Sequence, residues 1–143
     1  MEMTYSKSGE ALTERFEGCA LMPYQDPVGV WTDGYGNTHN VTPGVPVTQA
    51  QAQADLEANI QSAVNVVNAN VTVPLTQGEF DALVDFVFNL GAGNFENSTL
   101  LRFLNTGDYV DAAAQFPRWD LAGGQVVAGL LSRRIAEENE FND

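Results

Sequence analysis

The sequence predicts an α+β protein in which a small β-rich lobe and a helical bundle meet at a cleft. Glycine and proline punctuate residues 18–47, which also contain short β-prone pieces. On both sides, in 8–17 and 48–143, apolar residues recur at helical spacing. The chain has 143 residues, 44% of them hydrophobic, which is enough for one domain with a substantial core. We therefore treat 1–143 as a single domain.

The first predicted element is a short helix followed by a β-hairpin. Ser8 is a favourable N-cap, and Gly18 is suited to end the helix. The hairpin and its loops then occupy the rest of the β-rich lobe. The apolar residues that define the helix are Ala11, Leu12 and Phe16.

A long helix is predicted from Thr48 to about Asn68, because Thr48 and Gln51 have the spacing of a capping box. Its inner face is expected to carry Ala50, Ala54, Ile60, Val64 and Val67.

Thr76 and Glu79 form a second capping box, and the helix behind it ends at Gly91. This helix has the clearest apolar stripe of the chain: Phe80, Leu83, Val84, Val87 and Phe88. Three shorter helices follow in the prediction, at Ser98–Asn105, at Tyr109–Gln115 before Pro117, and at Gly129–Glu140.

Composition excludes several classes of partner. Nineteen acidic residues against six basic ones give a net charge of −13, which disfavours both nucleic acid and anionic membrane surfaces. We find no apolar run long enough to span a membrane and no secretory signal, so no stable membrane association is expected. The single cysteine, Cys19, forms no internal disulfide, which fits folding in a cytoplasm.

Two carboxylates stand out near the hairpin. Glu17 lies in the last turn of the first helix, where the negative end of the macrodipole favours the protonated acid. Asp26 follows nine residues later, in a turn before Pro27. A glycosidase needs such a pair, one group to protonate the leaving oxygen and one to orient a water. Each residue also has an ordinary explanation, Glu17 as part of a solvated helix face and Asp26 as a turn former.

The segment that contains both carboxylates resembles the catalytic segment of the phage-type lysozymes, the endolysins of T-even and lambdoid phages (glycoside hydrolase family 24). The resemblance covers nearly the whole chain in order. It rests on Phe16–Gly18, Tyr24–Gly36, Phe86–Gly91, Ser98–Leu101, Arg118–Trp119 and Gly129–Arg134.

This resemblance implies roles for individual residues. Glu17 corresponds to the proton-donating acid, and Asp26 and Thr32 correspond to the pair that positions the attacking water in an inverting hydrolysis. One of Arg133 or Arg134 resembles the arginine that pairs with the acid. Asn89 and Tyr24 are assigned to substrate binding or support, with helix capping as the alternative for Asn89.

The chain departs from the family pattern beside the threonine. Asp33 stands where many members have an apolar residue, and Asn37 stands where they have histidine. His39, the only histidine, comes two residues later, so a histidine role does not carry over. We expect Asp33 to face outward from the strand.

The remaining candidates are interpreted structurally. Cys19 is expected to be a small buried thiol. The two tryptophans, Trp31 and Trp119, either stack on sugar rings or pack in the core. Three acids, Glu79, Asp81 and Asp85, are expected on an exposed helix with no ligand-rich loop, so no metal site is predicted.

The resemblance implies a monomeric N-acetylmuramidase with a lysozyme-like fold that needs no cofactor. It would hydrolyse the β-1,4 bond between N-acetylmuramic acid and N-acetylglucosamine in peptidoglycan and so lyse the host. The enzyme would stay in the host cytoplasm until a membrane pore releases it to the wall. The alternatives are a catalytically silent peptidoglycan- or chitin-binding module, a virion tail enzyme, and a lytic transglycosylase.

Overall fold

A computed structural model describes residues 2–122 and 124–143, and in this part of the chain the predicted α+β class is confirmed. The strands form two antiparallel hairpins, β1–β2 and β3–β4. In chain order the elements are α1 (Lys7–Glu17), β1 (Ala20–Gln25), β2 (Trp31–Gly34), α2 (Gln49–Asn70), α3 (Gln77–Leu90), α4 (Ala92–Glu96), α5 (Thr99–Asn105), α6 (Tyr109–Ala114), β3 (Leu121–Ala122), β4 (Gln125–Val126) and α7 (Ala128–Asn142).

The chain divides into two compact units. We call Thr13–Ser62 the hairpin unit, and residues 2–12 with Ala63–Asp143 the helical unit.

Helix α1 begins two residues earlier than predicted. The hydroxyl of Ser6 accepts the amide proton of Gly9 at 3.2 Å, so Ser6 is the cap and Ser8 lies inside the first turn. Ser6 is selected because its hydroxyl also donates to the buried carboxylate of Asp81, a contact that is invisible in the local sequence. The predicted end is confirmed, since Gly18 adopts φ +65°.

The predicted β-hairpin is confirmed in the hairpin unit. Strands β1 and β2 pair with Tyr24 opposite Thr32 and Gln25 opposite Trp31, and the register is irregular between Ala20 and Tyr24. The tight loop of residues 26–30 connects the two strands.

The predicted inner face of α2 is confirmed at Ile60, Val64 and Val67 but is wrong at the start of the helix. There the expected Ala50 and Ala54 are exposed, whereas Ala52 and Leu56 are buried. The start of the helix is alanine-rich, so the alanines alone do not define its inner face. The larger side chains at positions 56 and 60 decide the phase, because they remove more apolar surface from water. The Thr48 hydroxyl caps the helix as predicted, accepting the amide of Gln51 at 3.0 Å.

The core of the helical unit is built on α3. Both halves of the capping box of Thr76 and Glu79 are present, and the helix ends at Gly91 as predicted. The predicted stripe is buried from Phe80 to Val87, and Phe88 is half-buried.

An aromatic cluster closes this core. The ring of Phe86 meets Phe95, Phe116 and Trp119 edge-on, with centroids 6.2, 5.7 and 5.5 Å away. Burying each phenylalanine contributes about 1.5–3 kcal/mol. Phe95 lies on α4, a five-residue helix that the sequence analysis missed, as it missed the short β3–β4 hairpin. Among the described helices, none combines the length and apolar character that crossing a membrane requires.

Candidate active site

Glu17 is the last residue of α1, and its side chain is half-buried. A Cβ atom built on Gly36 would lie only 2.7 Å from Oε1 of Glu17, well inside van der Waals contact. The Glu17 carboxyl group therefore lies beside the backbone of Gly36, and a side chain at position 36 would displace it.

Asp26 organises the loop between β1 and β2. Its Oδ1 accepts the amide protons of Val28 at 3.0 Å and Val30 at 2.8 Å. Its own amide donates to the Val30 carbonyl at 2.9 Å. Oδ2 accepts no hydrogen bond from the residues that the structure describes. Asp26 is thus a turn former, as the local sequence suggested, and one of its oxygens keeps its full accepting capacity.

Thr32 is buried on β2, and its hydroxyl donates to the Val30 carbonyl at 3.0 Å. The single hydroxyl proton is thereby committed, so the oxygen faces any further ligand as an acceptor. Val30 joins both predicted site residues, because its amide bonds the Asp26 carboxylate and its carbonyl takes the Thr32 hydroxyl. The structure therefore brings Asp26 and Thr32 together through one residue.

Asp33 does not face outward, and that expectation was wrong. Its side chain is buried and accepts a hydrogen bond from Nδ2 of Asn37 at 2.9 Å. The backbones of the two residues also exchange two hydrogen bonds, of 2.9 and 2.8 Å. Asp33 is turned inward because the turn that follows brings a polar partner under it. His39 is exposed, and only its backbone bonds Asn37.

Arg133 and Arg134 are both buried in the helical unit. Arg133 makes a two-pronged contact with Asp85, with Nε 2.9 Å from Oδ2 and Nη2 2.8 Å from Oδ1. Arg134 donates from Nη2 to Asn89 at 2.8 Å and to Glu137 at 2.9 Å. Charge-assisted bonds of this kind hold side chains firmly. Asn89 is therefore an acceptor for Arg134.

Glu137 is a member of this cluster that the sequence analysis missed. It is fully buried on α7, three residues after Arg134. Burial raises the pKa of Glu137 well above its ordinary value; the hydrogen bond and the negative charge of Asp85 raise it further, and Arg134 and Arg133 lower it. The spacing of Glu137 from the two arginines is the signal that was available in the sequence.

The expectation that Asp81 and Asp85 lie on an exposed helix face was wrong. Both are buried, Asp81 against Ser6 and Asp85 against Arg133. Their partners lie 75 and 48 residues away in the chain. Helical periodicity alone therefore gave no indication of their burial.

The remaining candidates occupy mixed positions. Tyr24 and Trp31 are exposed on the hairpin, whereas Trp119 packs against Phe86. Cys19 was expected to be buried but is exposed and free, with its sulfur 3.7 Å from Oε1 of Gln49. Within residues 2–122 and 124–143, no group of three or more His, Cys, Asp or Glu side chains is placed to hold a metal ion.

Comparison with known proteins places this arrangement in a family. The family model described as phage lysozyme matches residues 14–137. An endolysin of Acyrthosiphon pisum secondary endosymbiont phage 1 is 43% identical over 143 residues, covering 97% of this chain and 98% of the relative.

Solved structures agree with the sequence relatives. The muramidase domain of SpmX from Asticaccaulis excentricus superposes with a TM-score of 0.92 at 38% identity, covering 98% of both chains. An endolysin from Escherichia coli O157:H7 phage FAHEc1 gives a TM-score of 0.93 at 33% identity, covering 100% of this chain and 96% of the other. The predicted lysozyme-like fold is confirmed by these likenesses.

Proposed function

This chain belongs to the phage lysozyme family, and we propose that it cuts the β-1,4 bond between N-acetylmuramic acid and N-acetylglucosamine, with Glu17 as the acid and with Asp26 and Thr32 holding the attacking water. Membership makes it a glycoside hydrolase, an endolysin that hydrolyses peptidoglycan. Family membership alone does not give the glycosidic bond that is cut, the roles of the individual residues or inversion at the anomeric carbon, and these are proposed.

The observation that carries the proposal is the pair of hydrogen bonds that the Val30 backbone makes with the side chains of Asp26 and Thr32. This backbone holds one oxygen of Asp26 and the hydroxyl proton of Thr32, which leaves Asp26 Oδ2 and Thr32 Oγ1 as acceptors. A water molecule that donates one proton to each of them directs a lone pair away from the protein. That lone pair is the nucleophile that an inverting hydrolysis requires.

The reaction then proceeds in one displacement. Glu17 donates its proton to the glycosidic oxygen as the bond from the anomeric carbon to that oxygen breaks. The oriented water forms the new bond to the anomeric carbon from the opposite face and loses its proton to Asp26. The product has inverted configuration and a new reducing end. Room for the water requires about 6.5–9.5 Å between the two carboxyl groups.

Supporting roles complete the proposal. One of Arg133 or Arg134 pairs with Glu17, and the bonds of these arginines to Asp85 and Glu137 would hold it in position. Asn89 and the exposed Tyr24 contact the glycan. We further propose a monomer that recognises peptidoglycan and not nucleic acid or membrane, and that reaches the wall from the host cytoplasm through a pore.

Mass spectrometry of digested peptidoglycan tests the reaction directly. We expect muropeptides with reducing N-acetylmuramic acid ends, and incorporation of one ¹⁸O atom at that end when digestion is run in labelled water. Anhydro-muramic ends without ¹⁸O would instead identify a lytic transglycosylase. Binding to walls without any new ends would identify a silent binding module, and recovery of the protein in purified virions would identify a tail enzyme.

A further inference from the structure

The carboxyl group of the proposed acid, Glu17, lies against a loop whose position is fixed by hydrogen bonds. Gly34, Tyr35 and Gly36 form a three-residue loop, which the paired backbones of Asp33 and Asn37 close at its base. Gly34 and Gly36 have φ values of +53° and +73°, a conformation that glycine adopts without steric cost. The contact between Gly36 and Glu17 therefore depends on where this loop lies.

Asn37 is the centre of the side-chain bonds beneath the loop. It is 4% exposed, and its Nδ2 donates to Asp33 Oδ1 and to the His39 carbonyl, both at 2.9 Å. Its Oδ1 accepts from Nδ2 of Asn59 at 3.1 Å and from the His39 amide at 3.3 Å. A primary amide offers two donors and two acceptor lone pairs, so every bond that Asn37 can make is made.

Asn59 connects this network to α2. Two further contacts fasten the same loop to the same helix. Gln49 donates to the Tyr35 hydroxyl at 2.9 Å, and a Cβ on Gly34 would lie 3.2 Å from that of Ala52. Hydrogen bonds and packing thus hold the loop to α2 both at its base and at Gly34 and Tyr35, all within the hairpin unit.

We propose that Asp33, Asn37 and Asn59 are positioning residues for the acid. They fix the Gly34–Gly36 loop on α2 so that Gly36 holds the Glu17 carboxyl group at the place where proton transfer occurs. The inference rests on the proposed role of Glu17 and gives Asp33 and Asn37 a function in the proposed reaction. A displacement of about 1 Å in a reacting group is enough to lower a rate on the order of 100-fold.

The competing explanation is that the network only stabilises the hairpin unit. The two explanations differ in what Asp33→Ala and Asn37→Ala do to turnover. A positioning role lowers kcat at least about tenfold while KM changes less than about twofold, because the glycan still binds but the acid is misplaced. Asp33→Asn keeps an oxygen that accepts the Asn37 proton, so we expect it to restore at least half of the wild-type kcat.

The experiment measures kcat and KM on soluble glycan chains by release of reducing ends, together with the melting temperature. Ile60→Val is the matched control, since it loosens the core of the same helix beside Asn59 without touching a polar group. If Asp33→Ala or Asn37→Ala fails to fold, Asn59→Ala removes only the hydrogen bond from Asn59 to Asn37 and tests the same idea.

Two outcomes would overturn the proposal, and they are distinct. The network would be merely structural if the variants kept the wild-type kcat. The same conclusion would follow if they lost no more kcat than Ile60→Val does for a similar drop in melting temperature. A wild-type protein that releases no reducing ends would contradict the proposed function itself.

Discussion

At the scale of single residues, the chemistry depends on whether Glu17 carries the proton. We predict that Glu17→Gln lowers the lytic rate by about 10²–10⁴-fold, because an amide has no acidic proton to donate. Glu14→Gln makes the same chemical change one turn earlier on α1 and is the control. Loss of turbidity of purified walls gives the rate, and circular dichroism reports folding. A folded Glu17→Gln protein that kept more than about a tenth of the activity would exclude Glu17 as the acid.

The contact between Glu17 and Gly36 supports a second residue-scale prediction. Gly36→Ala places a methyl group 2.7 Å from the Glu17 oxygen, so the carboxyl group has to move. Gly44→Ala is a matched control, since Gly44 has a similar φ of +81° but no atom near its missing Cβ. Both variants lose about 1–2 kcal/mol to the left-handed backbone. We expect only Gly36→Ala to lose activity beyond its loss of stability; equal rates in the two folded variants would contradict this.

At the scale of elements, the features predicted correctly are those set by residues close together in the chain. The capping box of α3, its apolar stripe and its end at Gly91 are local patterns, and all three are confirmed. The hairpin of β1 and β2 was likewise indicated by its punctuation. Glu17 lies at the end of α1, and Asp26 and Thr32 belong to this hairpin. Only the family resemblance distinguished the two carboxylates from other acids of similar local sequence.

The errors at the carboxylates share one physical cause, which is a polar partner that hydrophobic periodicity does not reveal. Asp33, Asp81 and Asp85 looked like solvated residues, and each is buried by a polar partner. Burial of a carboxylate is tolerable only with such a partner, and periodicity does not report where the partner will lie. Ser6 replaced Ser8 as the cap of α1 for the same reason, through its contact with Asp81.

The pairing of α3 with α7 predicts a pH-dependent stability. The pKa of Glu137 is raised in the folded protein, chiefly by burial, beside Asp85 on α3 and Arg133 and Arg134 on α7. A raised folded-state pKa contributes stability that is complete below the unfolded value, about 4.3. That contribution is lost as the pH rises through the folded-state pKa.

Glu137→Gln cannot ionise and resembles the protonated acid, so it removes this dependence. We expect the melting temperature of the wild type to fall relative to Glu137→Gln as the pH rises above about 4.3 and through the raised folded-state pKa of Glu137. Glu57→Gln, on the exposed side of α2, serves as the control. A difference between wild type and Glu137→Gln that stays constant with pH would show that Glu137 ionises alike in the folded and unfolded chains.

At the scale of the whole molecule, the charge is distributed almost entirely on the surface. Arg133 and Arg134 are buried, so only four of the six basic residues remain outside the core, while four of the nineteen acids are buried. The surface is therefore strongly negative, and peptidoglycan walls usually carry negative charge as well. Enzyme and wall should repel each other, and like charges on the enzyme should also repel within the folded state.

We predict that salt raises both the lysis rate and the melting temperature. The screening length falls from about 30 Å at 0.01 M to about 10 Å at 0.1 M, which confines repulsion to near contact. Hydrogen bonds and stacking are short-ranged and survive this screening. The measurement is turbidity loss of purified walls, and melting, across a NaCl series at fixed pH. Soluble glycan chains are the control, because they carry far less charge than a whole wall: salt should change their cleavage much less, while the melting temperature still rises. A wall-lysis rate that fell steadily from about 10 mM upward would show that surface acidity does not govern the encounter with the wall.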